Sequence, residues 1–322
     1  MATPSLGRTL RRIAWVLVAA VIALGGAGLV AGASLPPTDA ARPELTVRGD
    51  ASMAPGLTAL NAGLTSVDDR LGQLVGTGEQ VLVDLTGMTS GSVAPSQISD
   101  DLQQGDDQLL AIEEQAQSLQ ATYAQLPFDA SSDRISGRTK GRLAAIRQAL
   151  DLLAPVTGDW QAVSTHATVT AKLLSLLQQN VAAAGQAVLD ANDKDVAGQA
   201  KAPDLKGALA ELDQADAYLT QAGTIRDQLA PTTDMSTYDQ WVSLHQAYEA
   251  ALRRYLQAHL TTNDVRILTP LYNALAAAYA QLPRTTAPLV VILGDLEATG
   301  LTDGVGDIQR ARTSLEQLAR VD

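Results

Sequence analysis

Apolar residues recur along most of this chain in steps of three and four. Between Leu57 and Met88 they fall at Leu57, Leu60, Leu64, Val67, Leu71, Leu74, Val81, Leu85 and Met88, and the one missing beat is Gly78. This spacing puts a single apolar stripe along one face of a helix. The sequence MTSGSVAPSQ, from Met88 to Gln97, breaks the pattern. It resumes at Ile98, Leu102, Leu109, Ile112, Ala116, Leu119, Tyr123 and Leu126, with Gly105 on its missing beat and Pro127 as the stop. Two heptad helices with a short connection predict an antiparallel hairpin. A third helix is expected over 133–153. A fourth starts near Asp159, with Trp160, Val163, Ala167, Thr170, Leu174, Leu177, Val181, Ala184 and Val188 on its seam. Helix one is expected to open at Pro55, as proline is tolerated in a first turn. Residues 55–192 then make a first helical bundle.

The polar, Gly-containing stretch 193–203 reads as an inter-bundle loop, and the pattern restarts at Leu205. Pro231, Pro270 and Pro283 punctuate the second half. Ser236 with Asp239 resembles a helix start signal. The seventh helix is expected to be capped by Asn263 or Thr269, with Pro270 in its first turn, and the last to cover 307–319. The fold expected is all-α: antiparallel heptad-patterned helices in two consecutive helical bundles, 55–192 and 204–322.

Ahead of them, Ile13 to Ala33 carries no charge and follows Arg8, Arg11 and Arg12. Its length approaches the ~20 residues of a membrane-spanning helix, and the arginines favour a cytoplasmic N-terminus. Residues 1–33 are therefore expected to form a cytoplasmic tip and a single-pass membrane helix, with the bulk of the chain extracytoplasmic. The alternative is a signal peptide cut after Ala33, leaving a secreted protein. Residues 34–54, with three prolines and no periodicity, read as a flexible linker.

Composition narrows the chemistry. Aromatic residues make up 3% of the chain, so the core must be built from Leu, Val and Ala. A formal net charge of -12 excludes a general nucleic-acid binder, which needs a basic footprint. The absence of cysteine removes disulfides, thiolate metal sites and a thiol nucleophile. No motif for nucleophilic catalysis, phosphate cradling or dinucleotide binding occurs, so no enzyme activity and no cofactor are expected.

Four constellations stand out. The stretch from Asp193 to Asp204 has the length of an EF-hand loop but lacks several of its ligands. His245 and Glu249 lie one helical turn apart and are expected to share a surface hydrogen bond. Acidic pairs (Asp68 and Asp69, Asp100 and Asp101, Asp106 and Asp107) flank the seams, and Arg134, Arg138, Lys140, Arg142 and Arg147 make the third helix basic, so the third helix is expected to pair with the acidic second. Trp241, His245, Tyr248, Tyr255, Tyr272 and Tyr279 gather on two successive helices, either as core or as an amphipathic pocket, since buried Tyr and Trp need polar partners. The function expected is that of a non-enzymatic, membrane-tethered interaction or scaffold protein with a protein partner at the cell surface. The alternative is a small-ligand or metal-binding module using this Tyr-rich cluster.

Overall fold

The computed structural model describes residues 43–192, 202–231, 233–297 and 300–319. The proposed membrane segment 13–33, linker residues 34–42 and loop residues 193–201 lie outside them. Among the described residues every regular element is an α-helix: α1 (Pro43–Thr89), α2 (Pro95–Ala124), α3 (Gly137–Leu153), α4 (Val156–Ala191), α5 (Leu205–Leu229), α6 (Ser236–Thr261), α7 (Val265–Tyr279), α8 (Ala287–Glu297) and α9 (Leu301–Ala319). No helix among them is long and apolar enough to cross a membrane.

Helix α1 opens at Pro43, not Pro55, so residues 43–54 are helix rather than linker. Pro43 takes the first-turn place, and Pro55 sits inside the helix on its exposed side. An interior proline costs about 3 kcal/mol. Met53 and Leu57 are buried on either side of it, and their packing carries the helix through. The seam residues expected on α1 from Leu57 to Met88 are all buried. The helix ends at Gly91, whose positive φ of 73° closes a C-terminal turn: Ser92 N–H donates to Gly87 O at 3.1 Å and Gly91 N–H to Met88 O at 2.9 Å.

The described chain divides into two compact units, and the division does not follow the expected 192/203 boundary. One unit holds residues 43–65, 118–151 and 313–319, and the other holds 66–117 and 152–312. In the first unit, Asp50 of α1 anchors the start of α3, accepting from Ser136 N–H at 3.0 Å and Thr139 Oγ1 at 2.7 Å. In the second, α4 packs along α5, joining the halves that the polar loop was expected to separate. Loop composition marked a surface connection there. It carried no information on whether the helices either side of it pack together.

Trp160, in the second unit, is fully buried. A Cβ added to Gly105 would stand 1.8 Å from its ring, so the ring occupies the side-chain space of α2's missing beat. A Cβ at Gly78, the missing beat of α1, would stand 3.7 Å from the same ring and 2.7 Å from Val305 of α9. The indole Nε1 donates to Asp106 Oδ1 at 2.8 Å. Further along α4, Leu173, Leu176 and Leu177 join Leu219, Ile225, Trp241 and Ile292 in one core cluster. Ala184 and Ala187 join Leu212, Tyr248, Leu252 and Leu256 in another.

Gly105→Ala is therefore expected to destabilise the protein by about 1–3 kcal/mol through overpacking. Gly76→Ala, whose Cβ would meet nothing within 4 Å, is expected to be neutral or to stabilise by up to about 1 kcal/mol. Urea unfolding of both variants checks this, and equal effects would show that Trp160 does not fill the Gly105 slot.

Candidate functional site at the α6–α7 hairpin

Helix α6 starts at Ser236 as expected, but without the expected cap chemistry. Asp234 Oδ1 accepts the Ser236 N–H at 2.9 Å, and Asp239 instead holds Arg226 through two bonds of 3.0 and 2.7 Å. Helix α7 is capped by Asp264, whose carboxylate accepts the Arg266 N–H at 2.8 Å. Neither Asn263 nor Thr269 caps it, and Pro270 lies inside the helix rather than in its first turn. An Asp cap placed before an apolar helix offsets part of the cost of that proline.

The six candidate residues form a line of rings, not one lining. Trp241 and His245 stack with centroids 3.7 Å apart and are buried, Trp241 within the α4–α5–α8 core cluster. Tyr248 is buried in the second cluster, and Tyr255 packs half-buried against it. From α7, Tyr279 approaches Tyr248 at 5.8 Å and Tyr272 meets Tyr255 edge-on at 6.0 Å. Tyr272 and Tyr279 remain 57% and 62% exposed. Val265 and Ile267 are exposed too, and no residue of α7 is buried. The cluster is thus core at its α6 side and an open apolar edge at its α7 side. Exposed apolar patches of this kind mark interaction surfaces.

The expected surface bond between His245 and Glu249 is replaced by two separate burials. Burial pushes the His245 imidazole down to about 4. Glu249, 1% exposed, turns to α4 instead: Asn180 Nδ2 donates to its Oε1 at 2.6 Å and to Ala215 O at 3.2 Å. Glu249 Oε2 and Asn180 Oδ1 are both buried without a donor. Burial raises the Glu249 carboxyl to about 7; the Asn180 bond opposes the shift and the nearby Asp216 carboxylate adds to it. Sequence reasoning overlooked Asn180. It follows Gln178 and Gln179 three residues after the seam residue Leu177, and only its burial sets it apart; a buried polar residue specifies which helix lies opposite.

The other constellations are accounted for locally. Asp204, the last position of the EF-hand-like stretch, caps α5 by accepting Gly207 N–H at 2.8 Å, while residues 193–201 lie outside the described residues. Among the described residues no three metal-ligating side chains converge. Asp68 pairs with Arg312 at 3.4 Å and Asp106 holds Trp160. Burial, with the neighbouring Asp84 carboxylate, raises Asp101 to about 6. The acidic stretch 100–107 and the basic helix α3 fall in different units. The chain matches no protein-family profile, no curated protein and no solved structure.

The Glu249 shift has a definite sign. Its stability contribution is fully present below about 4.5 and is lost as the pH rises through about 7. Glu249→Gln keeps the acceptor for Asn180 and adds a donor. It is expected to raise stability near pH 8 by about 1–3 kcal/mol and to change little near pH 5. Chemical denaturation at both pH values measures this, and curves that stay parallel to the wild type would show that Glu249 is solvated.

Proposed function

We propose that the protein is a membrane-tethered, extracytoplasmic helical interaction or scaffold protein without a catalytic role. Residues 13–33 hold it in the membrane, and the α7 edge of the α6–α7 hairpin engages a protein partner. The observation that carries this reading is a helix exposing Val265, Ile267, Tyr272 and Tyr279 while burying nothing. A soluble chain leaves such an edge bare only at a cost in solubility, and a partner removes that cost. The small-ligand alternative draws less support, because Trp241, His245 and Tyr248 already pack in the core. The same mature protein, secreted after cleavage near Ala33, is the alternative localisation.

The chain has no cysteine, so single substitutions report on topology and cover together. On intact cells a membrane-impermeant maleimide is expected to label Leu110→Cys quickly, since Leu110 is an exposed residue away from the hairpin. It is expected to label Val265→Cys slowly there, and quickly in the purified, diluted protein. Failure to label Leu110→Cys on intact cells sinks the extracytoplasmic assignment. Equal rates at both positions sink the interaction surface. Retention in the membrane pellet after a carbonate wash separates the anchored form from the secreted one.

A further inference from the structure

We infer that the α7 edge is an interface between two copies of this chain, paired antiparallel about a two-fold axis through Tyr272. This rests on the reading of that edge as an interaction surface and names its partner. Val265, Leu268, Tyr272, Leu275, Tyr279 and Leu282 follow the three–four spacing of a helix seam. Leu275 and Leu282 pack against the α6 cluster, and Leu268 is half-buried with them. The alternate positions, Val265, Tyr272 and Tyr279, stay exposed. Half of a complete seam is therefore in use.

The exposed half is self-complementary. Val265 and Tyr279 stand at equal distances along the helix on either side of Tyr272. Reversing the helix maps the three positions onto themselves, which is what a two-fold axis perpendicular to the helix requires. Tyr272 then meets its counterpart, and Val265 of each copy meets Tyr279 of the other.

Charge selects the partner. At a net charge of -12 two copies repel over most of their surface. From Val265 to Gly294 there is no Asp or Glu. Beyond the first 38 residues, the comparable acid-free stretch, 160–189, belongs to α4, whose apolar face fills the core. The α7 edge is thus an exposed place where two copies approach without facing carboxylates. Its exposed charged neighbours are Asp264 and Arg266 at one end and Arg284 beyond the other, so no carboxylate lies between the ends. The two hairpins then form an intermolecular four-helix arrangement along the ~22 Å of α7.

Disulfide trapping of the full-length chain in membranes tests the geometry, because only close Cα pairs can be bridged. Tyr272→Cys alone is expected to form an oxidised dimer. Val265→Cys alone and Tyr279→Cys alone are not, whereas the two combined in one chain are. Tyr272→Asp is expected to weaken self-association by roughly ten-fold or more, since two carboxylates would face each other at the centre. Its helical spectrum and melting temperature as a monomer should be preserved, because Tyr272 is exposed there. Dimers from all three single substitutions overturn the antiparallel register. No dimers, with Val265→Cys still shielded on cells, overturn the second copy as occupant but leave an interaction surface. In that case a fluorophore on Tyr272→Cys that responds only to anionic vesicles assigns the edge to the membrane. No dimers and no shielding remove both readings.

Discussion

The seating of Trp160 against two glycines is the contact on which the larger unit depends. Helices α1 and α2 each give up one seam side chain, at Gly78 and Gly105, and one indole from α4 occupies the space at Gly105 and closes on Gly78. A glycine in a helix interior costs about 1 kcal/mol, whereas truncating a buried aromatic in a core costs about 3–5 kcal/mol. The exchange favours the fold. The ring also has a polar end, and Asp106, the residue beside Gly105, accepts its N–H. The contact is therefore directional as well as apolar. It sets the register of α4 against the hairpin, and with it the place where Val305 and Gly304 of α9 lie beside Gly78 and Val163.

Further along α4 a second polar contact acts in the same way. Asn180 reaches the backbone of α5 and the buried carboxyl of α6 from one amide. An apolar side chain there would pack equally well against several registers, whereas the amide is satisfied in few. The cost appears as titration. Burial holds Glu249 and Glu297 near 7 and, with Asp84, Asp101 near 6, so each weakens the fold as pH rises toward neutrality. His245, depressed to about 4 by burial, acts oppositely and weakens it as pH falls below its ordinary 6.5. The carboxyls outnumber the imidazole, so the larger unit is biased toward mildly acid conditions.

The all-helical class and the α1–α2 seam were legible because they rest on local periodicity, which a single chain carries in full. The missing beats were legible as anomalies. Their occupant was not, since nothing in the spacing links Gly105 to an indole more than fifty residues away. Pro43 and Pro55 show a related limit. Both are helix-start signals, and only the burial of Met53 and Leu57 decides that the helix runs through the second. The tyrosines of the candidate site were correctly placed on two successive helices. Whether they faced core or solvent was not readable, because Tyr248 and Tyr279 have the same composition and spacing and differ only in what packs above them. The 192/203 boundary went astray for the opposite reason: a strong local loop signal was taken to report on long-range packing.

The α7 edge follows from the same balance between local and tertiary terms. A helix this short is marginal in isolation and gains its stability from a packed face. Helix α7 carries a proline inside it and buries nothing, and Leu275 packs half-buried against the cluster that Tyr248 and Leu252 share with α4 and α5. Its cap at Asp264 satisfies one end. With so little buried, it is expected to open more readily than the helices of the core. Anything that binds only its helical form stabilises it by mass action. A second helix laid along Val265, Tyr272 and Tyr279 would bury the other half of the seam, so ordering of α7 and association are one equilibrium. On the proposed pairing, the open edge would be the part of the molecule whose folding its partner completes.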